Sequence, residues 1–527
     1  MHVYFYNKVK WLSFIFIGSI SILVILPIFS IFNISYNSSF INNYVYIFNI
    51  VSFTLWQALL SASISIILAI LFAHSLNRQR HFIGREIIVK FLAFMFVVPT
   101  MVIIFGTIAV YGFQGLINSI LTFLNFNKMN SIYGLKGILL AHVLLNMPFA
   151  TRVFLNQLEA IPYPNYKTAE MLQFTSSDYF KLIEWPLMKQ TLYPIFILIF
   201  ILCFTSFSII LSLGGGPHTS TLEVAIYESL MFELNFVKAS SLAIIQLIFT
   251  VILLTITASQ NLNLSMMQGT RLNFNHPQQK IKRNKIFDFL IISVLSLFIF
   301  TPFIMIIFKS FINLYGWKIV TKSYFHQAFI TSVIICILSG TISTTIAIVV
   351  SFLNFFLGQK NKYLKINLNV FTNIILGVSP IILGTGYFIL LGELRYFSLS
   401  SYCILIMVNI LISLPFSFLI IKEPLKNLLQ SFNDLAIMLN LNKLDYLRVN
   451  LKPLMRFIGV SFAISSAISL GDMTVIALFG TDNFTTIPHL IFQMIGTYKF
   501  AEGSALTIIL LSMSFSLFLF FDKHAKN

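Results

Sequence analysis

The sequence is poor in charge: Asp, Glu, Lys and Arg make up only 10% of its 527 residues, where an ordinary soluble domain carries about 25%. That scarcity excludes a water-soluble globular protein. Acid is scarcer still, with 17 Asp and Glu against 34 Lys and Arg, for a net charge of +17. The three cysteines, Cys203, Cys336 and Cys403, all fall inside apolar stretches, and their spacing offers neither a disulfide frame nor a thiolate metal site. They read as small core residues. There is no Gly-x-x-x-x-Gly-Lys-Ser/Thr stretch, so the chain has no P-loop of its own. The nine histidines show no paired metal-ligand spacing, and no nucleophile stands with a recognisable base, which argues against an enzyme.

What the chain has in abundance is apolar length: 57% of residues are hydrophobic and the mean hydropathy is +0.89. A bilayer crossing takes about 20 largely apolar residues. Such runs lie at about 12–32, 50–72, 88–111, 135–155, 192–213 and 239–258, and again at about 286–308, 328–356, 368–391, 402–421, 457–479 and 503–521. The first is longer than a secretory signal core and is closed by no small-residue cleavage site, so it is read as a span. The expected fold is an all-α membrane protein of about 12 helices in two six-helix halves, 1–260 and 286–527. Between them, 261–285 is polar, contains Pro277 and carries five basic residues without an acid, which suits a cytoplasmic linker.

Cytoplasmic loops retain Lys and Arg, and sorting these residues by alternate loops gives 26 on one side and 8 on the other. The richer side holds both termini, which are therefore assigned to the cytoplasm. This topology accounts for most of the net charge and removes the need for a nucleic-acid partner.

An internal repeat supplies the sharpest signal. At an offset of 267 residues, Ala169, Met171, Leu172, Asp178, Tyr179, Pro186, Leu187 and Met188 match Ala436, Met438, Leu439, Asp445, Tyr446, Pro453, Leu454 and Met455. The repeated piece is the loop between the fourth and fifth spans of each half, about 159–187 and about 426–454. Because each half has an even number of spans, the halves are expected to be parallel copies related by an axis along the membrane normal. Lipid-facing positions accept almost any apolar residue, whereas a loop that docks a partner must keep its shape. Leu172 lies seven residues before Tyr179, and Leu439 seven before Tyr446, so each pair is expected to share a helical face. Pro186 and Pro453 are expected to mark where the loop helix ends and the next span begins. The plain alternative is an amphipathic segment lying at the headgroups.

These loops resemble the E-A-A, three residues, G, nine residues, I-x-L-P signature of the transmembrane subunits of ABC importers. The pattern falls on Lys167, Thr168, Ala169, Gln173, Ile183, Trp185 and Pro186, and again on Asp434, Leu435, Ala436, Asn440, Asn450, Lys452 and Pro453. The spacing is kept, but the family glycine is Gln173 in one copy and Asn440 in the other. The resemblance implies coupling loops, built around Ala169, Leu172, Gln173, Tyr179 and Pro186 and around Ala436, Leu439, Asn440, Tyr446 and Pro453, that seat two copies of a cytoplasmic ATPase. ATP and magnesium would bind those partners, leaving this chain without a cofactor. Glu184 to Pro186, Cys203 to Pro217, Ala225 to Tyr227, Leu470 to Gly480 and Ile495 to Tyr498 are similar to the fused permeases of bacterial thiamine importers. That family implies import of thiamine and its phosphate esters from a periplasmic binding protein across the inner membrane. Fused ferric-iron permeases share the architecture and are the competing family.

Within the spans, ionisable residues are expensive and point to function. Asp472 stands inside span eleven beside Gly471. Aligning Gly215 with Gly480 sets Ser206 and Phe207 opposite Gly471 and Asp472, where a carboxylate and an aromatic ring would suit an organic cation. A polar tie between helices is the alternative for Asp472, and core packing for Phe207. Gly214, Gly215, Gly216 and Pro217 cannot continue a helix and are expected to end span five. Glu223, Glu228 and Glu233 could meet a binding protein or attract a cation; a solvated acidic surface serves equally. His142 and Asn146 share a face of span four, where helix packing is the default. An ion-coupled secondary transporter, which can also have two parallel halves, is the alternative of a different class, disfavoured by the duplicated loops and the shortage of embedded acids.

Overall fold

The computed structural model describes residues 2–35, 44–128, 131–216, 219–258, 282–360, 375, 377–392, 398–438, 443–481 and 484–526, with the side chains of 2–17, 35, 256–258, 282–283, 356–360, 398–399, 431–438, 443–452 and 520–526 left aside. Of the inter-half segment expected at 261–285, 261–281 lies outside the described residues.

Ten helices among the described residues are long and apolar enough to cross a membrane, and the shorter apolar helices Gly18–Ile34 and Pro380–Leu391 fall where the first and ninth spans are expected. The fold is all-α with about twelve spans. Helix is the form these runs must take, because in hydrocarbon each backbone group has to be satisfied within its own segment.

Two compact units emerge, and neither coincides with one half of the sequence. The first comprises Met1–Phe48, Leu222–Ala258 and Gly316–Asn527. The second comprises Asn49–Thr221 and Ser259–Tyr315. The repeat records duplication, whereas these units record which helices pack together.

In the second unit, α2 (Tyr44–Arg78) leads to α3 (Arg85–Phe94) and α4 (Thr100–Tyr111). The third span was expected as one run, but it breaks between Phe94 and Thr100, where Pro99 withholds a backbone donor and restricts the residue before it. The chain continues through α5 (Leu116–Phe123) and α6 (Leu135–Glu159). Next come α7 (Tyr163–Met171), the single turn α8 (Ser176–Asp178), a π-helical stretch Tyr179–Glu184, α9 (Trp185–Phe204) and α10 (Ser208–Leu213). After the first unit's α11 (Leu222–Met231) and α12 (Phe236–Ala258), α13 (Lys282–Ile312) returns to pack on α4. Gly106 of α4 permits this approach: a Cβ there would stand 2.8 Å from Pro302 Cβ.

The first unit is built in the same way. Its centre is the mutual packing of α14 (Ser323–Lys360), α16 (Ser398–Met438) and α17 (Lys443–Gly471). Here α1 (His2–Ser35) lies against α15 (Pro380–Leu391). A Cβ on Gly386 would run into the Pro27 carbonyl oxygen, Ser30 donates its hydroxyl to the Gly386 carbonyl at 3.0 Å, and Tyr387 donates to the Leu23 carbonyl at 2.5 Å. The remaining helices are α18 (Thr474–Phe479), α19 (Ile487–Gly496) and α20 (Phe500–Lys526).

The two copies keep helix lengths and stops in register. Helices α4 and α15 each have 12 residues and end before Gly112 and Gly392, an offset of 280 that pairs Gly106 with Gly386. Helices α10 and α18 each have six residues and are capped by Gly214 and Gly480, whose N–H groups donate to the carbonyls of Ile210 and Ile476 at 2.7 Å. This offset is 266, one more than the alignment of Gly215 with Gly480, and it pairs Asp472 with Ser206 and Met473 with Phe207.

Candidate functional site

The loop between α6 and α9 is a helix, a tight reversal and a second helix start. Pro162 and Pro164 sit at the beginning of α7, where a missing N–H costs nothing. The helix stops in a Schellman arrangement: Phe174 N–H donates to the Ala169 carbonyl and Gln173 N–H to the Glu170 carbonyl, both at 3.0 Å. Gln173 takes φ +54°, the left-handed conformation that glycine adopts freely. At the position where the motif has glycine, this chain therefore takes a left-handed backbone on a residue that is not glycine. Thr175 then caps the next helix in a capping box, its N–H donating to Asp178 Oδ2 at 2.9 Å while its hydroxyl accepts from Asp178 N–H at 3.4 Å.

This reversal overturns the expectation that Leu172 and Tyr179 share a face. The seven-residue spacing assumed one helix, but α7 ends before Leu172 and the chain turns. Leu172 is 63% exposed, together with Met171 and Leu182, whereas Tyr179 is 3% exposed and stacks on Tyr166 at 6.4 Å between ring centroids. Ala169 is on the buried face of α7, with Tyr166. Pro186 is exposed in the first turn of α9, directly after the π-helical turn, and the helix runs on through it from Ser176 to Phe204 rather than ending there.

In the second loop, Leu439 and Asn440 lie outside the described residues. Ala436 and Tyr446 fall within α16 and α17, their side chains outside the description. Pro453 departs from expectation: α17 runs through it without ending.

Beneath α7 lies a buried polar network that the sequence did not announce. Glu184 is fully buried. Its carboxylate accepts from His74 Nδ1 at 2.5 Å and from Asn77 Nδ2 at 3.1 Å. Arg78 donates to His74 Nε2, which leaves the ring proton on Nδ1, facing the acid. Asn77 also donates to the Tyr166 hydroxyl at 3.2 Å and accepts from Arg80 at 2.5 Å. Burial first, and then the nearby Glu184 charge, push the Tyr166 phenol up from its ordinary value, so it keeps its proton. Gln79 and Arg78 reach Asp288 of α13 at 2.9 and 3.5 Å, Asn284 donates to Ser176 at 2.6 Å, and Arg85 pairs with Glu159 at 2.7 Å. Sorting by loops had counted these arginines only as charges. The available signal was His74, Asn77, Arg78 and Arg80 crowded into the last turn of a span.

Of the pathway candidates, Ser206 and Phe207 occupy the break between α9 and α10; Ser206 is half-buried and Phe207 buried. At that break the Thr205 hydroxyl donates to the Ile201 carbonyl at 2.9 Å. Gly471 and Asp472, both half-buried, stand at the break between α17 and α18. Asp472 Oδ1 accepts the Thr474 N–H at 2.9 Å and Oδ2 accepts from Asn409 of α16 at 3.2 Å. The carboxylate thus shapes the break and ties two helices.

Other sequence candidates separate. Glu223 is buried at the start of α11 and accepts from Gln246, which also donates to Ser379 at 3.2 Å. It is not part of a solvated acidic surface, because α11 folds that face onto α12. Glu228 is half-buried, and Glu233 is exposed and pairs with Lys238 at 2.7 Å. His142 and Asn146 pack inside the second unit, against Ser61 at 3.0 Å and Cys203 Sγ at 3.3 Å. Gly214 ends α10, and Gly215 and Gly216 take φ +75° and +136°; Pro217 lies outside the described residues. Cys203 and Cys336 are buried as expected, but Cys403 is exposed.

Residues 65–266 match the family model described as binding-protein-dependent transport system inner membrane component. The chain is 33% identical over 481 residues to the thiamine transport system permease protein of Haemophilus influenzae, covering 90% of this chain and 88% of that one. It is 33% identical over 482 residues to the protein of the same description from Escherichia coli, covering 91% and 89%. A ferric transport system permease protein of Actinobacillus pleuropneumoniae is 27% identical over 213 residues, only 40% of this chain and 30% of that one. With likeness of that extent through both halves, the chain belongs to the thiamine transport system permease family.

Proposed function

We propose that this chain is the membrane permease of an ATP-driven importer that carries thiamine and its phosphate esters across the bacterial inner membrane by alternating access. The observation that carries the reading is 33% identity across 90% of the chain to a thiamine permease; the ferric permease match is confined to 40%. A periplasmic binding protein delivers the substrate, and two copies of a cytoplasmic ATPase bind ATP and magnesium. The chain itself has no chemical step. Both termini face the cytoplasm.

The division of labour follows the sites described. Met171 and Leu172 of the first loop offer exposed apolar side chains to one ATPase, over a backbone held by Ala169, Gln173, Tyr179 and Pro186. Ala436, Leu439, Asn440, Tyr446 and Pro453 serve the second copy. Spans five and eleven are interrupted in register, and discontinuous helices characterise substrate sites in transporters. Ser206 and Phe207, and Gly471 and Asp472, are the residues we assign to the pathway; half-buried Asp472 supplies the negative charge for a cationic heterocycle.

The test is uptake of labelled thiamine by vesicles holding this chain with its candidate ATPase and binding protein, beside ferric ion under the same ATP supply. ATP-dependent thiamine uptake that needs both partners is expected. Ferric uptake instead would replace the substrate, and uptake that survives ATP depletion but collapses with an ion gradient would replace the mechanism by secondary transport.

A further inference from the structure

The buried network under α7 joins three elements that must move if ATPase closure is to reach the membrane. Tyr166 belongs to α7, which carries the exposed docking side chains; Glu184 closes the π-helical turn that leads into span five; His74 and Asn77 belong to the last turns of span two. Glu184 is the junction, because it accepts from both His74 and Asn77, and Asn77 in turn holds Tyr166. A fully buried carboxylate that lost these donors would be left uncompensated, so the acid and the last turns of span two are obliged to move together. A π-helical stretch beside a proline is, moreover, a place where helical register can shift.

The second loop is chemically different at the same positions. At the offset of 267, Glu184 corresponds to Leu451 and Tyr166 to Asn433. The motif position that holds the buried acid in one copy holds an aliphatic residue in the other.

We propose that Glu184 is a positioning residue that locks the first docking helix to span two through His74 and Asn77, so that the ATPase stroke enters the membrane through the first loop by a carboxylate that the second loop's sequence replaces with Leu451. The two docking loops then have unequal roles: one transmits, the other seats.

The inference rests on the importer reading, and its test separates the two. The full complex, with candidate ATPase and binding protein in vesicles, is made with Glu184→Leu, Glu184→Gln and His74→Ala. Three quantities are read: ATPase retained by the purified complex, ATP hydrolysed on adding loaded binding protein, and thiamine taken up per ATP. Glu184→Leu is expected to hold its ATPase and hydrolyse within about 2-fold of wild type, while uptake per ATP falls at least about 5-fold, the lower end of typical coupling effects. Glu184→Gln, whose single amide oxygen can accept from only one of these two donors, is expected to give a ratio between Glu184→Leu and wild type, and His74→Ala to lower it again. A parallel fall of hydrolysis and uptake, or an unchanged ratio in both Glu184→Leu and His74→Ala, overturns the proposal. If Glu184→Leu does not assemble, the ratio in His74→Ala decides. Wild-type uptake of ferric ion rather than thiamine would sink the substrate reading alone, since the ratio is then read with that ion.

Discussion

Spans five and eleven break at one register and close on equivalent glycines, yet the first break carries Ser206 where the second carries Asp472. Their backbone is shared and their chemistry is not. Duplication has preserved where each helix restarts after the break, six residues before Gly214 and before Gly480, while the side chain in the break has diverged. The interruption is therefore architectural, and the acid is a specialisation added to one copy. The Pro-on-Gly crossings behave alike: Gly106 under Pro302 and Gly386 under Pro27 repeat the same close approach, with the second the tighter.

The most telling way to break the comparison is Asp472→Ser, which gives the second break the first one's residue. The hydroxyl can still accept from Thr474 N–H, but the charge is gone. Thiamine uptake is expected to fall at least about 10-fold, as for one lost charge-assisted interaction of about 1.5–3 kcal/mol, with thermal stability close to wild type. Equal uptake would return Asp472 to its structural tie with Asn409. Next come Gly386→Ala and Gly106→Ala. The added methyl meets backbone in the first and a proline side chain in the second, so overpacking should cost about 1–3 kcal/mol and more in Gly386→Ala, read as the order of unfolding temperatures in detergent. Thr175→Ala removes the cap of the first docking loop, at about 1 kcal/mol of local stability, which amide exchange of residues 176–180 would register as faster opening. The smallest effect should come from Gln173→Gly, which relieves a left-handed conformation that disfavours a side chain by about 1–2 kcal/mol. Part of that gain is lost to the freer unfolded glycine, and slower exchange at Phe174 would reveal what remains.

Much of the fold was legible because hydrocarbon allows few choices: runs of about 20 apolar residues are spans, and their number and order needed only counting. Interruptions were harder. Pro99 could have announced the break before α4, but Thr205 to Phe207 contain neither proline nor glycine to announce theirs. In the site, the motif spacing put its glycine position on Gln173, where the chain takes φ +54°, but the spacing alone gave no backbone conformation there. The facing of Leu172 and Tyr179 failed because helical periodicity does not survive a Schellman turn. Glu184 and His74 were unreadable as partners, for they are 110 residues apart and nothing local requires either to have the other.

The crossing of α1 on α15 has a consequence for how the protein is made. Ser30 and its Gly386 acceptor are separated by 356 positions. At about 5–20 residues per second of synthesis, α1 waits roughly 18–71 s for the helix that completes its seat. Throughout that interval Pro27 and Ser30 have no native counterpart on α15, and a ribosome stalled midway leaves the earliest helix exposed to membrane quality control. A gene cut between the halves would yield two fragments that each lack helices their compact unit contains, so the fusion of the halves also delivers the parts of each unit in equal amounts.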